Sequence, residues 1–160
     1  MDLTMDEMSR LIDAANEGRC GGGASPRSEA SAEAERRLDA RFRTSETLAV
    51  YGTLAPGEPN HDVVAPLGGE WTDGFVEGDL HPVGWGASLG YPAFRPRAGG
   101  PPVAVRVLKS PGLPDAWPEL DRFEGEEYRR ILVPVFTSGL DGAPRLLTAA
   151  NLYAAAEGLA

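Results

Sequence analysis

Thr47-Leu-Ala-Val-Tyr51 is a short apolar run of strand-forming residues, and Gly52-Thr-Leu-Ala-Pro-Gly57 turns sharply out of it. From this point to the end of the chain, β-type runs alternate with turns marked by Gly and Pro. Trp71 to Val83 alternates around Phe75, Val76 and Leu80, Val103 to Leu108 is a further strand, and Ile131 to Phe136 and Leu146 to Tyr153 complete the set. Pro114 to Glu124 is the only convincing helix of this half, with Gly125 placed to end it. The chain carries 20 Gly and 14 Pro in 160 residues, a density that suits short strands and turns better than a bundle of long helices. The expected fold is α+β: a small curled mixed β-barrel with one or two helices, occupying residues 47–160.

Upstream, residues 1–46 read as an N-terminal extension, partly helical or disordered. Leu3, Met5, Met8, Leu11 and Ile12 recur at spacings close to those of an amphipathic helix. Cys20-Gly-Gly-Gly-Ala-Ser-Pro26 follows as a linker, and the Ala-, Glu- and Arg-rich stretch from Glu29 to Arg43 reads as an exposed helix. A poorly ordered extension is the plain interpretation. The functional one is an arm that docks on a partner or on a second copy, giving a homo-oligomer.

Charge and composition exclude several classes. A formal charge of -9 and no run of Lys and Arg argue against a nucleic-acid or anionic-membrane partner. No stretch approaches the roughly 20 apolar residues of a membrane span, and acidic Asp2, Asp6 and Glu7 are unlike a secretory signal, so a cytoplasmic location is expected. One Cys and two His leave no Cys/His zinc cage, and no structural metal is expected.

Two motif matches carry little. Gly86-Ala-Ser-Leu-Gly90 fits a nucleophile pattern that needs a strand entering the Ser and a helix leaving it, and Pro82, Gly84 and Pro92 deny both. Gly84-Trp-Gly86 lacks the third glycine of a dinucleotide site, so both matches read as turn glycines.

Two other stretches carry more. Tyr51-Gly-Thr-Leu54 sits at a strand end, where successive backbone N–H groups can face one concavity and hold a carboxylate; a structural turn containing Tyr and Thr is the alternative. Leu120-Asp-Arg-Phe-Glu-Gly125 puts Glu124 in the last turn of the helix, beside the negative end of its dipole and three residues from Asp121. Both neighbours should raise its pKa toward that of a general base. A solvated helix-end carboxylate is the alternative.

Taken in order, Tyr51-Gly-Thr-Leu-Ala-Pro-Gly57, Gly90-Tyr-Pro-Ala93 and Leu120-Asp-Arg-Phe-Glu-Gly125 with Tyr128 and Arg129 resemble the gamma-glutamylcyclotransferase-like family, over Leu48 to Tyr153. The resemblance implies a small barrel-like fold, no cofactor, and a cavity for a small-molecule gamma-glutamyl substrate. There the α-amine attacks its own γ-carbonyl and 5-oxoproline leaves. It further implies that Tyr51, Gly52, Thr53 and Leu54 hold the α-carboxylate and that Glu124 is the acid/base. The chemistry suits these residue types, because an ammonium must lose a proton before attacking, and anchoring one end of the chain brings nitrogen to carbon. Tyr128 or Tyr153 is a candidate O–H donor to the oxyanion, beside backbone N–H groups. Tyr91 and Pro92 are candidate cavity wall, and at most one of Arg129 and Arg130 faces the cavity. Trp71, Trp85 and Trp117 read as core or rim.

The leaving group stays open: an amino acid, a peptide remnant, an isopeptide lysine or a biosynthetic amine. A non-catalytic binding or interaction module on the same fold is the rival reading. An amide hydrolase using the same pocket is a third, separated by release of free glutamate instead of 5-oxoproline.

Overall fold

Every residue of β1 (Thr47–Val50) is buried, because this strand is covered on both faces, which is why its apolar run does not alternate. The computed structural model describes residues 3–20 and 29–156. Five further strands follow: β2 (Glu70–His81), β3 (Ala93–Pro96), β4 (Pro102–Lys109), β5 (Tyr128–Ser138) and β6 (Pro144–Ala155). Their order is β3-β2-β4-β1-β6-β5, and a pairing of Phe75 in β2 with Phe136 in β5 closes five of them into a barrel, with β3 as an extra strand on β2. Among the described strands only β1 with β6 is parallel, through Leu48 and Asn151. The fold is thus the α+β mixed barrel expected from the sequence. Helix α1 (Met5–Cys20), helix α2 (Glu29–Phe42) and helix α3 (Leu113–Glu124) complete it. The short β3 strand was not legible in the sequence.

Alternate residues of the barrel strands fill the interior, among them Ala49, Val105, Val107, Val133, Val135 and Leu152. The opposite face of β1 supplies Leu48 and Val50 to a second cluster with Leu113, Trp117 and Leu120 of α3. Pro118 interrupts the interior of α3, yet the helix holds through this apolar face, and Gly125 ends it with a φ of 79° and an N–H donated to the Asp121 carbonyl.

The stretch expected as an exposed helix is packed instead. α2 buries Ser31, Ala34, Leu38 and Phe42, and with Met8, Ile12 and Ala15 of α1 these cover Leu132 and Ala149 on the outer face of β5 and β6. The small Ser31 and Ala34 let α2 lie close, so Leu38 and Phe42 suffice as its large apolar contacts. Asn16 of α1 exchanges hydrogen bonds with the Leu132 backbone, Nδ2–H donating to its carbonyl at 2.9 Å and its N–H donating to Oδ1 at 2.8 Å. One side chain thereby takes up the Leu132 N–H and carbonyl of β5. Apart from Cys20, the linker expected over residues 20–26 lies outside the described residues.

Candidate active site

The C-terminal turn of α3 presents Glu124 to a cavity at the end of β1. Gly52, Thr53 and Leu54 of the following loop line that cavity, as do the rings of Tyr51, Tyr91, Tyr128 and Tyr153. The sequence candidates therefore meet in one place, around a cavity of ≈ 40 Å³.

Glu124 is 8 % exposed, and among the described residues its carboxyl has no hydrogen-bond or ion-pair partner. Burial alone pushes its pKa up to about 7. The expected contribution of Asp121 is absent, because that carboxylate is already matched. Its Oδ1 accepts from Arg130 Nε at 2.9 Å and from the Tyr153 hydroxyl at 2.6 Å. Burial pushes Asp121 up, but these two hydrogen bonds and the charges of Arg130 and Arg19 prevail and hold it below the usual range.

The loop after β1 has its carbonyls already engaged: Ala55 N–H donates to Gly52, Asn60 N–H to Thr53, and His61 Nδ1–H to Leu54 at 2.9 Å. Among the described residues no acceptor meets the N–H of Gly52, Thr53 or Leu54. Three uncommitted N–H groups on residues that line such a cavity are candidate donors to an anion.

The four tyrosines differ. Tyr51 donates to the Tyr153 carbonyl at 2.7 Å and accepts from Phe94 N–H at 2.9 Å, so its hydroxyl is a strut between strands. Burial pushes its pKa well up. Tyr153 gives its proton to Asp121, which corrects its candidacy as an oxyanion donor. Its own pKa is raised, by burial first and then by that bond. Tyr128 accepts from Gly86 N–H at 3.2 Å, and its own proton meets no acceptor among the described residues. Tyr91 donates to the Glu58 carboxylate.

Sequence reasoning missed what holds this together. The turn after Gly84 is not mere punctuation: Gly84 has a φ of 86° and a Cβ there would stand 2.6 Å from the Tyr128 hydroxyl, while one on Gly86 would be tight against it at 3.1 Å. Trp85, read as core or rim, donates Nε1–H to the Glu124 carbonyl at 2.8 Å and so fixes the helix end that carries the carboxyl. The Gly-Trp-Gly spelling was its only trace. Ser88 donates to the Trp85 carbonyl and does not line the cavity. Neither Arg129 nor Arg130 lines it either; both border a separate crevice between α3 and the N-terminal helices. Among the described residues no group of His, Cys, Asp and Glu converges as metal ligands, and no helix is long and apolar enough to cross a membrane.

Fold and cavity define a small α+β barrel in which the buried Glu124 and the Gly52 to Leu54 loop line one cavity. Residues 48–158 match the family model described as gamma-glutamyl cyclotransferase, AIG2-like, and the chain belongs to that family. Helices α1 and α2 lie outside the matched stretch. Among solved structures the chain is similar to a solution structure of an Arabidopsis thaliana protein, at 23% identity and a TM-score of 0.47, covering 70% of this chain and 69% of that one. A search of the curated proteins found no match.

Proposed function

We propose that the protein is a gamma-glutamyl cyclotransferase, with Glu124 as acid/base and the Gly52 to Leu54 N–H groups as the anchor for the substrate's α-carboxylate. The observation that carries this reading is a buried, partnerless carboxyl sharing one cavity with unsatisfied main-chain donors.

Glu124 takes a proton from the α-ammonium. The freed nitrogen attacks the γ-carbonyl carbon of the same glutamyl group, and the new N–C bond closes a five-membered ring. The C–N bond to the leaving amine then breaks, and Glu124 returns the proton to that amine, so no water is consumed. An ordinary carboxyl near pKa ~4.3 is a poor base for an α-ammonium, whereas one pushed up to about 7 is a stronger one. Tyr128, with its proton uncommitted, is the donor for the oxyanion.

The test supplies γ-glutamyl amino acids, γ-glutamyl amines and ε-(γ-glutamyl)lysine and reads 5-oxoproline. Glu124→Gln should lower turnover on the order of 100-fold or more while remaining folded. Free glutamate as product would favour a hydrolase, and no product from any of the three would favour a binding module.

A further inference from the structure

A groove of ≈ 410 Å³ adjoins the candidate active site, and Val50, Tyr51, Gly52 and Tyr91 line both hollows. Gly52 and Tyr91 face one another along this boundary: a Cβ on Gly52 would stand 3.9 Å from Tyr91 Cδ1, and glycine puts no side chain there. Ala55 and Ala104 give the groove an apolar wall, and its charged residues are Glu58, Asp73 and Arg106. Asp73 and Arg106 stand opposite one another in the β2–β4 ladder and pair, Nε to Oδ1 at 2.6 Å. Glu58 is different. Its carboxylate accepts from the Tyr91 hydroxyl, and among the described residues no Lys, Arg or His meets it. No Lys or His lines either hollow, and the one Arg that does is committed to Asp73. The groove therefore carries one unbalanced negative charge, bonded to a tyrosine that also lines the cavity.

We propose that Glu58 is a specificity-determining residue on the leaving side: the amine released from the γ-glutamyl group lies in this groove and carries a second, positively charged amine that pairs with Glu58. The inference rests on the reading of the cavity as a gamma-glutamyl site and names the class of its leaving group, a diamine. The methylene chain of a diamine suits a wall of alanines, and its far ammonium supplies the cation that Glu58 lacks. An amino acid or a peptide remnant brings a carboxylate instead, which Glu58 repels and for which the groove holds no uncommitted cation. The far ammonium is remote from the bond that breaks and meets Glu58 alike in the ground and transition states. Charge selection should therefore show in KM, with kcat little altered.

The test compares γ-glutamylcadaverine with γ-glutamylhexylamine, which has a methyl group in place of the terminal ammonium. In the wild-type protein kcat/KM for release of 5-oxoproline should be about fivefold higher for the cadaverine conjugate, the scale of one partly solvated charge pair, and the difference should lie in KM. Raising the ionic strength from ~0.01 M to ~1 M shortens the Debye length from about 30 to about 3 Å and should bring the ratio toward one, an arm that needs no variant. Glu58→Gln keeps an acceptor for Tyr91 while removing the charge, and should do the same; because the readout is a ratio, any change to the shared chemistry cancels. Glu33→Gln, which removes an equal charge from an exposed pair on α2, should leave the ratio at about fivefold. A ratio near one in the wild type, a ratio that survives high salt or Glu58→Gln, or a preference for γ-glutamylalanine over γ-glutamylcadaverine overturns the assignment. If the wild-type protein releases no 5-oxoproline from any conjugate, the proposed function fails, and calorimetry on the same pair decides this inference. Tighter binding of the cadaverine conjugate that is lost in Glu58→Gln upholds it, and equal or absent binding ends it.

Discussion

Replacing Glu124 by Gln should make the protein more stable, and only above a certain pH. The unfolded carboxyl releases its proton near 4.5, while burial holds it in the folded protein to about 7. Between those values the folded state binds the extra proton, so unfolding free energy falls as pH rises, and the deficit is complete above the folded pKa. A span of roughly 2.5 pH units is worth ~3 kcal/mol. Gln keeps the shape of the neutral acid and never ionises. Its advantage should therefore be absent near pH 4 and reach ~3 kcal/mol at pH 8.5, or about 6–12 °C in Tm for a chain of this size. Thermal unfolding of both proteins across pH 4–9 reads the difference, in which every other titrating group cancels. A constant gap between the two curves, or none at pH 8.5, would show that the carboxyl is solvated and that the argument for its basicity is wrong.

The same protonation governs rate: kcat/KM for release of 5-oxoproline should rise with pH through about 7, and a profile flat from pH 5 to 8 would remove Glu124 as the base. Tyr128→Phe should lower kcat about 100-fold with little change in KM, and Tyr153→Phe, whose hydroxyl is spent on Asp121, should cost much less; equal losses would deny the distinction. Asn16→Ala strips both hydrogen bonds from the buried Leu132 backbone and should destabilise by ~2–3 kcal/mol in urea, whereas a loss under ~0.5 kcal/mol would mean water replaces them.

Much of the fold was legible because its signals are local. The alternation in β2, the apolar run of β1 and the Gly125 terminator each follow from residues within a few positions of one another. α2 differs from the expectation because half of its buried stripe is Ser31 and Ala34, and only a close-packed neighbour turns an Ala into core. The candidate site divides likewise. The helix-end position of Glu124 could be read directly, but the reason offered for its basicity could not survive Arg130, nine residues beyond Asp121 in the chain and bonded to it in space.

Local sequence determined the strands other than β3, where α3 stops and that a carboxyl stands at its end, since turn geometry, side-chain period and capping act over three or four residues. Tertiary structure alone decided that this carboxyl is buried without a partner, that Trp85 pins it, and that α1 and α2 belong against the barrel. Dielectric surroundings and ion pairing depend on what lies within a few ångströms, and here those neighbours come from positions up to 132 residues apart, as Arg19 and Asn151 do.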